Sequence, residues 1–88
     1  VTGPLVLAAQ AGWVEADEVV YAAVLPDGPP LVLQGSGALV WHAALPGGSL
    51  EEVVGRVAAA AGTSADVVAA DVAAFVDALV TVGLLVRS

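Results

Sequence analysis

Only a handful of side chains in this sequence have the chemistry for catalysis or metal binding, and their spacing limits them further. His42 is the only histidine. A catalytic triad or a metal site needs partners at fixed spacing, and none accompanies it, so it reads as a helix-surface or hydrogen-bonded histidine. Glu51 and Glu52 are adjacent carboxylates. Neighbours on a helix diverge by about 100°, too far for paired acid–base work, whereas the first turn of a helix is where acids complement the macrodipole. Gly35-Ser36-Gly37 has the look of a phosphate loop. It lacks the lysine and the long strand–helix–strand unit of one, and a tight strand-to-helix turn accounts for it. With no cysteine in the chain, thiolate zinc sites, disulfide frameworks and cysteine nucleophiles are excluded. No metal or cofactor is expected.

Charge narrows the partners. Nine carboxylates face two arginines, Arg56 and Arg87, and no lysine, for a formal net charge of -7. Binding to a nucleic-acid backbone requires several Lys and Arg side chains to neutralise phosphates, and two distant arginines do not supply them. The 88 residues fit one domain, 1–88, with a single small core. Although 59% of them are hydrophobic, Asp66, Asp71 and Asp77 cut the longest apolar stretches. None approaches the ~20 apolar residues of a membrane span. The apolar opening Val1–Ala9 has no basic residue ahead of it, so it lacks the first element of a secretory signal. A cytoplasmic protein without membrane or nucleic-acid partners is expected.

The elements that must position any site are legible from pattern. Trp13–Glu15 and Val19–Leu25 are rich in β-branched and aromatic residues and read as strands. Pro26-Asp27-Gly28 suits a type I turn. Leu31–Gln34 makes a third strand, and Pro29 and Pro30 at its entrance place it at a sheet edge. Ser36 is the expected N-cap of a first helix carrying Leu39, Val40, Ala43 and Ala44 and stopping at Pro46-Gly47-Gly48. Ser49 and Glu52 form a capping box for a second helix with Val53, Val54, Val57, Ala58 and Ala61 at helical spacing, closed by Gly62. Thr63 and Asp66 repeat the pattern for a third helix. On its wheel Val68, Val72, Phe75 and Leu79 centre an apolar face that Asp71 borders. Trp13, Trp41, Tyr21 and Phe75 are scattered rather than striped and read as core anchors, with Trp41 packed under the second and third helices.

Taken in order, the short strands, the turn Gly35-Ser36-Gly37-Ala38-Leu39-Val40-Trp41, the Ser49-Leu50-Glu51-Glu52 helix start and the closing Asp71-Val72-x-x-Phe75-x-x-x-Leu79-x-x-x-Gly83-Leu84-Leu85 resemble one family. This arrangement resembles PqqD-type peptide chaperones, also called RiPP recognition elements (RRE), over about residues 12–86. The resemblance implies an α+β, winged-helix-like fold, with an N-terminal three-stranded antiparallel sheet followed by three helices. It also implies a non-catalytic function, binding the leader of a ribosomally made precursor peptide and presenting it to a separate modifying enzyme, whether protease, cyclase or radical enzyme. In that family the leader lies between the third strand and the third helix. Carried over, this implicates Leu31, Val32, Leu33 and Gln34 on the strand and Val68, Asp71, Val72 and Phe75 on the helix. Strand addition to a free edge is a general mode of peptide binding that fits the expected edge strand. Val72 and Phe75 equally suit a pure core role, and Asp71 a solvated one.

Two alternatives stand beside this reading. Ser49-Leu50 resembles the serine-leucine start of an acyl-carrier helix, but Gly48 stands where the carrier aspartate would be. A generic interaction subunit needs no further motif. A DNA-binding regulator comes a distant third, its phosphate contacts excluded by charge. Duplex DNA binding should be undetectable at physiological salt, and a steeply salt-dependent gel shift at low micromolar protein would overturn that exclusion.

Overall fold

Between residues 19 and 24 the apolar side chains alternate in burial, with Val20 and Ala22 inside and Tyr21 between them exposed. That period of two is a strand with one face on a core. The structure, a computed structural model, describes residues 3–87. In chain order its elements are β1 (Leu5–Leu7), β2 (Ala11–Ala16), β3 (Val19–Val24), β4 (Leu31–Leu33), α1 (Ser36–Ala44), α2 (Leu50–Ala61), α3 (Ala65–Thr81) and β5 (Leu85–Arg87). The fold is α+β, with an antiparallel sheet in the order β2-β3-β4 preceding the three helices.

Asp17 and Glu18 join β2 to β3 with φ of 53° and 65°. Positive φ at both central residues is the geometry of a type I′ turn, whose twist matches the flanking strands. The register that follows pairs Ala16 with Val19, Val14 with Tyr21 and Trp13 with Ala22, and continues across β4 as Val20 with Leu33 and Tyr21 with Val32. Val20, Ala22 and Leu33 therefore enter the core. Val14, Tyr21 and Val32 form an exposed row on the opposite face.

The helices cover the inner face. Trp41 is 0% exposed at the centre of the core, with Val53, Val72, Val76, Leu79 and Leu84 also buried. Each such aliphatic side chain contributes about 1.5–3 kcal/mol on removal from water. The Trp13 ring stands edge-on to Trp41 at 5.9 Å and to His42 at 6.1 Å. The Trp41 Nε1–H is buried without an acceptor among the described residues.

The second helix begins as its sequence requires. Glu52 N–H donates to Ser49 Oγ at 3.1 Å, and Ser49 N–H donates to Glu52 Oε1 at 2.9 Å. The Ser49 backbone N–H, then its hydroxyl, then nearby Arg56 hold the Glu52 carboxyl below the ordinary glutamate range. A depressed carboxyl pKa stabilises the fold above the unfolded-state value, and this contribution is lost as pH falls through the folded one. Gly62 closes the helix at φ 70°, with Thr63 N–H bonding Ala58 O, the Schellman arrangement.

Several expectations are corrected. The N-cap of α1 is Gly35 at φ 61°, with Ser36 already the first helical residue and no side-chain cap. The N-cap of α3 is Ser64, also without a side-chain bond, rather than Thr63. Leu25–Pro26 is cis, and the turn closes through Gly28 N–H to Val24 O at 2.7 Å, so it is not type I. A Cβ on Gly28 would stand 2.4 Å from that same oxygen, which is why glycine is needed there. Of the four aromatic anchors only Trp41 is buried, while Trp13 and Tyr21 are exposed and Phe75 is half-buried. Gln34 lies beyond the end of β4.

Most consequential is the chain's last segment. Gly83, at φ 89°, ends α3 in a second Schellman motif, with Leu84 N–H on Leu79 O. That turn buries Leu84 and Leu85 and sends β5 antiparallel along β1, an unforeseen two-stranded sheet. Leu5 is held on its other side by reciprocal bonds with Gly48.

Arg56 reaches across to α1, where its Nη1 donates to Ala43 O at 2.9 Å and Gly47 O at 2.8 Å. Carbonyls at a helix C-terminus have no partner within the helix, so this guanidinium takes the place of a cap. Arg56→Met should cost about 1.5–3 kcal/mol in denaturant unfolding. Glu18→Gly should instead stabilise the hairpin by about 1 kcal/mol, because glycine removes the left-handed penalty; an unchanged midpoint would refute this account of the turn.

Candidate functional site

The backbone of β4 presents its free edge at one residue. In a two-residue hairpin the residues flanking the turn exchange both backbone bonds, and hydrogen-bonded and non-bonded pairs alternate from there. Ala16–Val19 and Val14–Tyr21 are then bonded pairs, and the Leu25 N–H to Gln10 O bond of 2.7 Å continues the series. On β3 this leaves Val20 and Ala22 facing β4, bonded to Leu33 and Leu31. Val32, opposite Tyr21, therefore directs its N–H and C=O away from the sheet.

A cavity of about 190 Å³ is lined by Ser36, Gly37, Val40, Val57, Val68, Asp71, Val72 and Phe75. All four helix residues implicated from sequence meet there. Val72 is buried, Val68 and Phe75 are half-buried, and Asp71 is exposed at the rim. One turn apart on α3, Val68, Val72 and Phe75 present a continuous apolar strip.

The strand residues do not line this cavity. Leu33 is buried against the core, Leu31 is half-buried, and Val32 is 55% exposed on the outer face. Gln34 is exposed, and its carbonyl accepts the Gly37 N–H at 3.2 Å. Gly37 joins the two halves. A Cβ there would stand 3.2 Å from Phe75 Cζ and 4.0 Å from Leu33 Cβ, so the absence of a side chain lets Phe75 lie close to the end of β4. Sequence reasoning missed Gly37, Ser36, Val40 and Val57 as lining residues. The Gly35-Ser36-Gly37 turn was a usable signal for the first two.

A wider groove of about 620 Å³ runs between α2 and α3, lined by Leu50, Val54, Ala65, Ala69 and Ala73 with Glu51 and Asp66. It lies on the other side of α3. The smaller cavity is the better candidate because all four implicated helix residues line it and Gly37 ties it to the end of β4. His42 Nε2 stands 3.2 Å from Glu15 Oε2 on the surface, the hydrogen-bonded role expected of it. Among the described residues no three His, Cys, Asp or Glu side chains gather in a metal-binding cluster.

A β-then-α domain with a free strand edge and an apolar helix strip is the class of fold that the resemblance in sequence implied. The family model of PqqD, coenzyme PQQ synthesis protein D, matches residues 22–85, and the chain belongs to that family. Its members are non-catalytic accessory proteins of the peptide-binding, chaperone type. The match runs from the middle of β3 through the three helices to the start of β5, so it includes the whole cavity. Searches of the curated proteins and of the solved structures gave no match.

Proposed function

We propose that this chain is a single leader-peptide-binding domain that holds a precursor peptide on the outer edge of β4 and presents it to a separate modifying enzyme. The observation that carries this reading is the outward-facing Val32 backbone on β4, a strand whose end Gly37 ties to the apolar cavity on α3. An added antiparallel strand gains main-chain hydrogen bonds from Val32. Its alternate side chains point towards Val68, Val72 and Phe75. Membership of the PqqD family, whose proteins bind a precursor peptide and work with a modifying enzyme, supports the same assignment. Leu31 and Leu33 hold the strand in place, Gln34 and Gly37 shape its end, and the chain supplies no bond-making step. A cytoplasmic setting suits such a partner, and no described helix is long and apolar enough to cross a membrane. The carrier alternative is disfavoured because Ser49 Oγ is engaged as the acceptor of the α2 capping box.

The test needs a peptide that binds, which selection from a display library of random linear peptides on the immobilised domain would provide. Val32→Pro removes the outward N–H without touching a bond to β3. It should leave the fold intact by circular dichroism and weaken the selected peptides about tenfold or more in calorimetry. Glu15→Pro is the matched control on the other sheet edge, where β2 also has outward groups. If Glu15→Pro weakens binding and Val32→Pro does not, the peptide adds to β2 and this site assignment is wrong.

A further inference from the structure

The charges around the cavity restrict what kind of peptide it can hold. The chain has two arginines and no lysine. Both arginines are committed elsewhere, Arg56 to the Ala43 and Gly47 carbonyls and Arg87 to the Asp77 carboxylate. Asp71 is the one ionisable side chain lining the cavity. The opposing influence is the start of α1, where Ser36 and Gly37 line the same cavity and the first turn has no acidic residue. A helix N-terminus acts as about half a positive charge and fades within a turn. Asp71 contributes a full negative charge, with the net -7 of the molecule behind it. The cavity is therefore negative to an arriving peptide.

Geometry adds a spacing. Asp71 and Phe75 are one turn apart on α3, about 6 Å of rise. Side chains on the same face of an extended peptide recur every two residues, about 6.6 Å. We infer that the peptide stretch docked here is basic and apolar, with a large apolar side chain in the Val68–Val72–Phe75 strip, a lysine or arginine two positions away against Asp71, and no carboxylate facing the cavity. This rests on the leader-binding reading above and specifies the partner of that site.

Peptides selected from the random library on the wild-type domain should be enriched in Lys or Arg two positions from a large aliphatic or aromatic residue. On Asp71→Lys, an exposed position that tolerates the change, the same selection should lose that bias and favour Asp or Glu. In titration, exchanging Lys for Glu in one selected peptide should weaken it about tenfold on the wild type and strengthen it on Asp71→Lys. Peptides that bind and are weakened by Val32→Pro, yet show no basic bias or an acidic one, overturn this inference and leave leader binding standing. A basic bias unchanged by Asp71→Lys overturns the role of Asp71. If nothing is selected, or binding is indifferent to both Val32→Pro and Phe75→Ala, the leader-binding reading fails and this inference with it.

Discussion

The arrangement of the sheet depends on the register set at Asp17–Glu18. Because side chains alternate with a period of two, shifting that turn by one residue would bring Tyr21 inward and expose Val20 and Ala22. The same register decides which backbone groups are satisfied. It turns Val20 and Ala22 towards β4, and so leaves Val32 rather than Leu31 or Leu33 with free groups at the edge. Core burial and the candidate docking edge are two consequences of one turn geometry. They cannot vary independently, since a slip that exposed different backbone groups would also empty the core.

The helices add a second dependence. α1 is short and lacks a side-chain cap at its start, while at its C-terminal end Arg56 holds the Ala43 carbonyl together with that of Gly47 in the following turn. One long side chain on α2 thereby fixes the helix whose first turn closes the cavity. Gly37 sets the distance from the other direction, allowing Phe75 to approach α1 and β4. The cavity is a by-product of how three helices and a strand end are held together. None of its lining residues had to be reactive for it to form.

What was legible in the sequence were features encoded within a few residues. The Ser49–Glu52 capping box and the left-handed Gly62 are local hydrogen-bond arrangements, and they formed as read. The apolar periodicity of α3 placed Val72 and Leu79 inside, while Val68 and Phe75, expected at the centre of the same face, are half-buried and Val76 on its flank is fully buried. Less legible were features in which competing local signals gave similar patterns. Ser36 beside Gly35, and Thr63 beside Ser64, offer two cap residues each, and the caps are Gly35 and Ser64. The Asp17–Glu18 turn has no glycine or asparagine to mark its positive φ values. Aromatic type was a poor guide to burial, because register turns Tyr21 on β3 away from the core, while Trp13 shares the inner face with Ala22 but stays exposed on the edge strand β2.

By itself the sequence determined the order of three strands and three helices, the family pattern, the absence of thiol chemistry and the negative charge that disfavours phosphate backbones. These follow from composition and from hydrogen bonds spanning a few residues. Only the tertiary structure decided that Leu5–Leu7 and Leu85–Arg87 pair with each other, since the partners lie at opposite ends of the chain and each is too short to be read as a strand alone. It also decided that Val68, Asp71, Val72 and Phe75 share a cavity with Ser36 and Gly37, and that Val32 carries the free edge. Such facts depend on register and on which helix face meets which strand, and both are fixed by burying one common core rather than by any segment's own preference.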